Sequence, residues 1–197
     1  MKKAITIILA VTVIAGVYCL SSCENSAVDV KAAPRMVTKA DTIKRGEYLV
    51  GIMGCNDCHS SKSFGPKGPV IDSMTKLGGF LSSKPIPKIS KSTGQWVLFA
   101  PDLTAAVGPW GMSFAANISS DATGVGNWSE EQFVRVMREG KYMGLREERN
   151  ILPPMPWQSY GALADADLHA IFTYLKSTKP VKNVVPAPIA PDKIPAE

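Results

Sequence analysis

Five consecutive residues, Cys55-Asn56-Asp57-Cys58-His59, restrict this chain more than any other stretch. Thiols three positions apart stand about one turn apart on a helix, a spacing that lets both add to the two vinyl groups on one edge of a porphyrin. His59 follows directly, so its imidazole can reach the iron from the same side. Cys-x-x-Cys-His is accordingly the attachment signature of a c-type haem. The competing readings are a disulfide or half of a zinc site. Zinc needs two further ligands, but the one other histidine is His169, and Cys19 and Cys23 fall in a segment patterned for removal. One covalent haem c on Cys55 and Cys58 is expected, with His59 as an iron ligand.

Lys2 and Lys3 precede an apolar run from Ala4 to Leu20, and Leu20-Ser21-Ser22-Cys23 closes it. A charged start, an apolar stretch and small residues at its end mark a secretory signal, here similar to a bacterial lipoprotein signal. That resemblance implies cleavage before Cys23 and acylation of its thiol. The alternative is an uncleaved anchor, although the run falls short of the ~20 apolar residues of a spanning helix and contains Thr6 and Thr12. The expected organisation is a signal peptide at 1–22, a polar tether at 23–39, a folded domain at 40–180 and a Pro-rich tail at 181–197, extended or disordered. Without residues 1–22 the chain keeps 197 − 22 = 175 residues, which suits one domain, and loses two lysines, taking the net charge from +5 to +3. Nothing in this balance points to a nucleic-acid partner.

Within the domain, Asp41 can cap a helix that carries Ile43, Gly46, Val50 and Met53 on one face and runs into the haem motif. Residues 60–127 are rich in Gly, Pro and Ser and read as an irregular segment that needs a haem surface to pack on. Ser129-Glu130-Glu131-Gln132 is a capping box, followed by Phe133, Val136 and Met137 and closed by Gly140. A last helix begins near Asp165, with Leu168, Ile171, Phe172 and Leu175 as its apolar stripe and Pro180 beyond its end.

These elements, in this order, resemble the class I cytochrome c family. Phe114-Ala115-Ala116-Asn117-Ile118, Asp121 to Trp128 and Leu152-Pro153-Pro154-Met155-Pro156-Trp157 are similar to its bacterial monohaem branch, and the likeness covers roughly residues 40–183. The resemblance implies an all-α fold packed around one haem, with the first and last helices crossing at Gly46, Tyr174 and Leu175. Two positions depart from the family pattern: Ser120 stands where Pro is usual, and Ala164 where a Ser or Thr cap is usual.

A second axial ligand is expected from a methionine. Met155 is held in a stiff backbone by Pro153, Pro154 and Pro156, and the resemblance implies that it covers the haem face opposite His59. Met112 and Met143 are the next candidates, whereas His169 faces away from the apolar stripe of the last helix. In the family a Gly-Pro carbonyl holds the imidazole Nδ1, and both Gly65-Pro66 and Gly68-Pro69 qualify, with Pro69 preferred. Trp96, Trp110, Trp128, Trp157 and Tyr160 are candidates for the haem pocket. Two strong ligands leave no open position on the iron, and a thioether favours the ferrous state.

The expected function is a membrane-tethered electron carrier, not an enzyme, lipid-anchored on the periplasmic side of a bacterial cell envelope. Its partners would be periplasmic electron donor and acceptor proteins. The alternatives are an electron-accepting cytochrome subunit of a periplasmic dehydrogenase, and a haem-based gas or redox sensor. Lys62, Lys67, Lys76, Lys84, Lys88 and Lys91 against Asp72 form either a solvated loop or a surface that steers an acidic partner.

Overall fold

Helix α1, Lys39–Ile52, begins earlier than Asp41 alone would place it. Its cap is Thr38, whose hydroxyl accepts from the Asp41 amide at 3.2 Å while the Asp41 carboxylate accepts from the Thr38 amide at 3.1 Å. Asp41 is thus the answering residue of a capping box. The structure is a computed structural model that describes residues 36–89 and 95–195. The expected signal segment, Cys23 and Lys91 lie outside the described residues. Among those described, no helix is long and apolar enough to cross a membrane.

A short helix α2, Cys55–His59, follows Gly54 and carries the haem motif. Helix α3, Glu130–Glu139, has the capping box read from Ser129 and Gln132 and closes at Gly140. Helix α4, Trp157–Tyr160, is one turn long, and helix α5, Asp165–Ser177, ends the helical part. Helices α1 and α5 cross where Gly46 is buried. A methyl there would overlap the Ala170 carbonyl and lie 2.7 Å from the Tyr174 Cβ, so glycine sets the depth of the crossing. Arg45 pairs with Asp167 at 2.9 Å on its edge. Beneath it lies a core of Leu49, Val50, Phe133, Val136, Leu168 and Ile171, with the Phe133 and Phe172 rings stacked at 5.4 Å.

The all-α expectation needs correction, because the Gly- and Pro-rich middle folds into two small antiparallel sheets. Strands β1, Lys62–Gly65, and β2, Gly68–Ile71, form one hairpin; β3, Leu98–Phe99, β4, Ala105–Gly108, and β5, Gly111–Phe114, form a sheet in that order. The physical reason is local. Gly65-Pro66-Lys67-Gly68 and Gly108-Pro109-Trp110-Gly111 are the same four-residue turn, with Gly65 opposite Gly68 and Gly108 opposite Gly111. Proline pre-sets the second turn position and glycine suits the last.

Residues 179–190 beyond α5 are extended, followed by one 3-10 turn at Pro191–Lys193, and parts of this stretch pack against the domain. Val181 and Asn183 are buried, and Ile189 exchanges two backbone hydrogen bonds with Met112, at 2.8 and 2.9 Å, beside β5. Both departures from the family pattern have a visible setting. The Ser120 amide donates to Thr178 Oγ1 at 3.1 Å and its hydroxyl to the Thr178 carbonyl at 2.6 Å; a proline could supply neither donor. Ala164 caps α5 without any side-chain bond. The acids Asp165 and Asp167 in the first turn provide the negative charge that a helix start favours.

Candidate haem site

Cys55 and Cys58 are free thiols on the single turn of α2, both half-buried. Burial pushes the Cys55 thiol up to about 11, with the neighbouring Asp57 and Cys58 adding to it, and burial raises Cys58 as well. Both are protonated near neutral pH, unlike the activated thiolates of redox motifs. His59 lies at the end of the same turn. Its Nδ1 donates to the Ala116 carbonyl at 2.7 Å, which fixes the tautomer and leaves the Nε2 lone pair for a metal. Burial holds the imidazole below its usual pKa, against the opposing pull of the Ala116 bond.

The acceptor for Nδ1 was expected from Pro69. Pro69 instead lies in β2 opposite Phe64, exposed, because the Gly-Pro sequence after the motif turns a hairpin. Ala116 is 57 positions from His59 and carries no side-chain signal for this role. A second element holds the segment in place: the Gly79 amide donates to the His59 carbonyl at 2.9 Å, and Gly79 at φ +73° packs directly on the Ala115 and Ala116 carbonyls.

Cys55 packs against the buried core, as do other partly buried apolar side chains, among them Met53, Ile118, Trp128, Ile151, Met155 and Tyr160. The Met155 loop is pinned on both sides. Before it, the Ser113 hydroxyl donates to the Pro153 carbonyl at 2.6 Å; after it, the Tyr160 hydroxyl donates to the Met53 carbonyl at 3.0 Å, next to the haem motif. Burial raises the Tyr160 phenol, and Cys55, Cys58 and Asp57 add to the shift. Met112 is 1% exposed in β5, against the C-terminal tail, and Met143 is exposed in a turn. Of the tryptophans, Trp96 is 76% exposed, Trp110 bonds Ser113 at 3.2 Å and Trp157 stacks over Gly140. His169 is exposed and its Nδ1 lies 2.9 Å from Glu130.

Among the described residues no three His, Cys, Asp or Glu side chains converge as a metal-binding group. A haem iron takes four ligands from its porphyrin, so one imidazole, two thiols for the macrocycle edge and an incomplete apolar shell fit this group. Two of the clustered lysines, Lys62 and Lys84, have partners within the chain. Lys84 pairs with Asp102 at 2.6 Å and reaches Ser61, and Lys62 is spent on the Asp57, Ser60 and Asp102 carbonyls. Burial works against the charged form of Asp102, but Lys84 and Thr104 together hold it below the usual carboxylate range. These two lysines fasten the loop after His59; Asp102 offsets the Lys84 charge, whereas Lys62 bonds only carbonyls and keeps its own.

No family model matches the chain. Over 80 residues it is 40% identical to a subunit of the nicotinate dehydrogenase of Pseudomonas putida, covering 40% of this chain and 6% of that one. It is 28% identical over 133 residues to the gluconate 2-dehydrogenase cytochrome c subunit of Pantoea cypripedii, with 67% and 22% covered. With the fructose dehydrogenase cytochrome subunit of Gluconobacter japonicus the figures are 26% over 160 residues, with 78% and 26% covered. The chain spans about a quarter or less of the length of these relatives. Its likeness to cytochrome c subunits of dehydrogenases joins the haem motif in supporting a c-type cytochrome that carries electrons.

Proposed function

We propose that this chain is the electron-accepting monohaem cytochrome of a dehydrogenase complex, with His59 and Met155 as axial ligands and Cys55 and Cys58 as the covalent tether. The observation that carries the proposal is the meeting of the haem motif, set on one helical turn with its imidazole already oriented, with sequence likeness to cytochrome subunits of several dehydrogenases. When bound, haem supplies a one-electron couple. The protein's own residues hold the imidazole, shield the edge with apolar side chains and present a thioether from a pinned loop. That likeness favours a subunit over the freely shuttling carrier. Those relatives' names specify nicotinate, gluconate and fructose, so the substrate of the partner is a question for the assay.

An affinity-tagged chain, expressed in its native host and isolated under mild conditions, should co-purify with a dehydrogenase. Its haem should be reduced within the complex when nicotinate, gluconate or fructose is added in turn. A haem protein that isolates alone, and is reduced only by another soluble carrier, would return the chain to the free-carrier reading.

The anchor belongs to the same proposal: acylated Cys23 tethers the domain to the periplasmic face of a bacterial membrane. Two or more acyl chains give stable anchoring. Cys23→Ser should therefore move the protein almost completely from the detergent phase to the aqueous phase, and a wild-type protein that is already aqueous would exclude the anchor.

A further inference from the structure

The carbonyl that holds His59 is itself held by residues from the far end of the chain. Segments 77–80 and 115–118 run side by side, joined by Phe80 N–H to the Ala115 carbonyl at 3.0 Å and Ile118 N–H to the Leu77 carbonyl at 2.9 Å. Ala116 lies between these bonds and faces His59. Asn183, six residues past the end of α5 and 6% exposed, ties both segments. Its Nδ2 donates to the Gly78 and Phe80 carbonyls at 2.7 and 2.8 Å, on either side of Gly79, and its Oδ1 accepts from the Ser82 amide at 2.9 Å. Its backbone carbonyl accepts from Nδ2 of Asn117, the residue next to Ala116, at 3.2 Å. Thr123 Oγ1 joins the two asparagines, accepting from the Asn183 amide at 3.0 Å and from Asn117 Nδ2 at 3.1 Å. Asn117 is 5% exposed, and its Nδ2 also reaches the Val181 carbonyl at 2.7 Å.

We propose that Asn183 is a positioning residue for the haem: through Gly78–Phe80 and Asn117 it sets how closely the Ala116 carbonyl approaches His59 Nδ1. This inference rests on His59 being an axial ligand. The physical step is short. A strong Nδ1–H bond raises the basicity of a metal-bound imidazole and fixes its ring, and a more basic ligand favours the ferric state. The buried amide spends both donors and its acceptor on the segment that cradles Ala116. Loosening it lets the two segments part, lengthens the Nδ1–H bond and shifts the couple toward the ferrous state.

The test uses the full-length holoprotein. Asn183→Ala should raise the reduction potential, changing the ferric-to-ferrous ratio at a fixed redox poise by about tenfold, the lower end of outer-shell effects and equal to about 59 mV for one electron. The Nδ1 proton of His59 in the reduced protein should exchange slowly by NMR in the wild type and faster in the variant. Thr123→Ala, which removes the hydroxyl between the asparagines together with its bond to Asp121 and a methyl group, should shift both readouts in the same direction by less, and it serves if Asn183→Ala yields no holoprotein. A lower melting temperature with unchanged potential and proton exchange would make Asn183 purely structural and overturn the inference, as would a wild-type ring proton that exchanges at once. His59→Ala separates the two readings. If it leaves the low-spin spectrum intact, the ligand assignment fails; if it abolishes that spectrum while Asn183→Ala moves nothing, only the positioning role fails.

Discussion

No acid-resistant haem is expected on a Cys55→Ala, Cys58→Ala variant made in a host competent for haem attachment, whereas the wild type should carry one per chain. Either single change should leave one thioether at best. Intact-protein mass spectrometry after acid extraction reads the result, and a wild-type chain that comes through with its sequence mass alone would end the haem assignment. The effect extends to folding. Partly buried apolar side chains that pack on the same core as Cys55, including Ile118, Trp128 and Met155, need a cover. Each ~100 Å² of apolar surface left in water costs about 2.5 kcal/mol at ~25 cal/mol per Å². Set against a typical domain stability of about 5–15 kcal/mol, a few such areas decide whether the domain holds, so the variant should melt far below the holoprotein.

Met155→Ala should open the iron. The expected results are loss of the thioether-to-iron charge-transfer band in the oxidised protein and new carbon monoxide binding in the reduced protein. The potential should fall on the order of 0.1–0.3 V, part of the ~0.8 V that axial ligands span. Met112→Ala is the informative comparison. Met112 is almost fully buried in β5 and its backbone pairs with Ile189, so its truncation should cost about 2–5 kcal/mol by leaving a cavity while the spectrum stays unchanged. If the spectral changes appear instead in Met112→Ala or in Met143→Ala, the ligand must be reassigned to that residue.

The helices and the middle segment show why part of this structure is legible in the sequence and part is not. Helix α3 announces itself by a capping box and a closing glycine, both within about a dozen residues, and α5 by its apolar stripe. Local signals of that kind survive any tertiary arrangement. The same Gly and Pro residues that read as irregular loop turn two hairpins, and the repeated Gly-Pro-x-Gly of 65–68 and 108–111 is the local signal that marks them. Ala116 is different in kind. A backbone carbonyl acts as acceptor whatever its side chain, so a partner 57 positions away leaves no trace in residue type. Asn183 sits in proline-rich surroundings that suggest a loose tail, although a buried amide needs several partners and finds them only in the folded chain.

The crossing at Gly46 has a consequence in time. Gly46 and Ala170 meet across 170 − 46 = 124 positions, and closing a flexible loop of that length costs about 4 kcal/mol from the logarithmic part alone. Local hairpins and helical turns can form in microseconds, but the two ends must find each other before the core beneath them closes. A chain made from its N-terminus exposes Cys55 and Cys58 long before α5 exists. Under the proposed haem attachment, the thiols therefore have an interval in which they are reachable before the first and last helices cross.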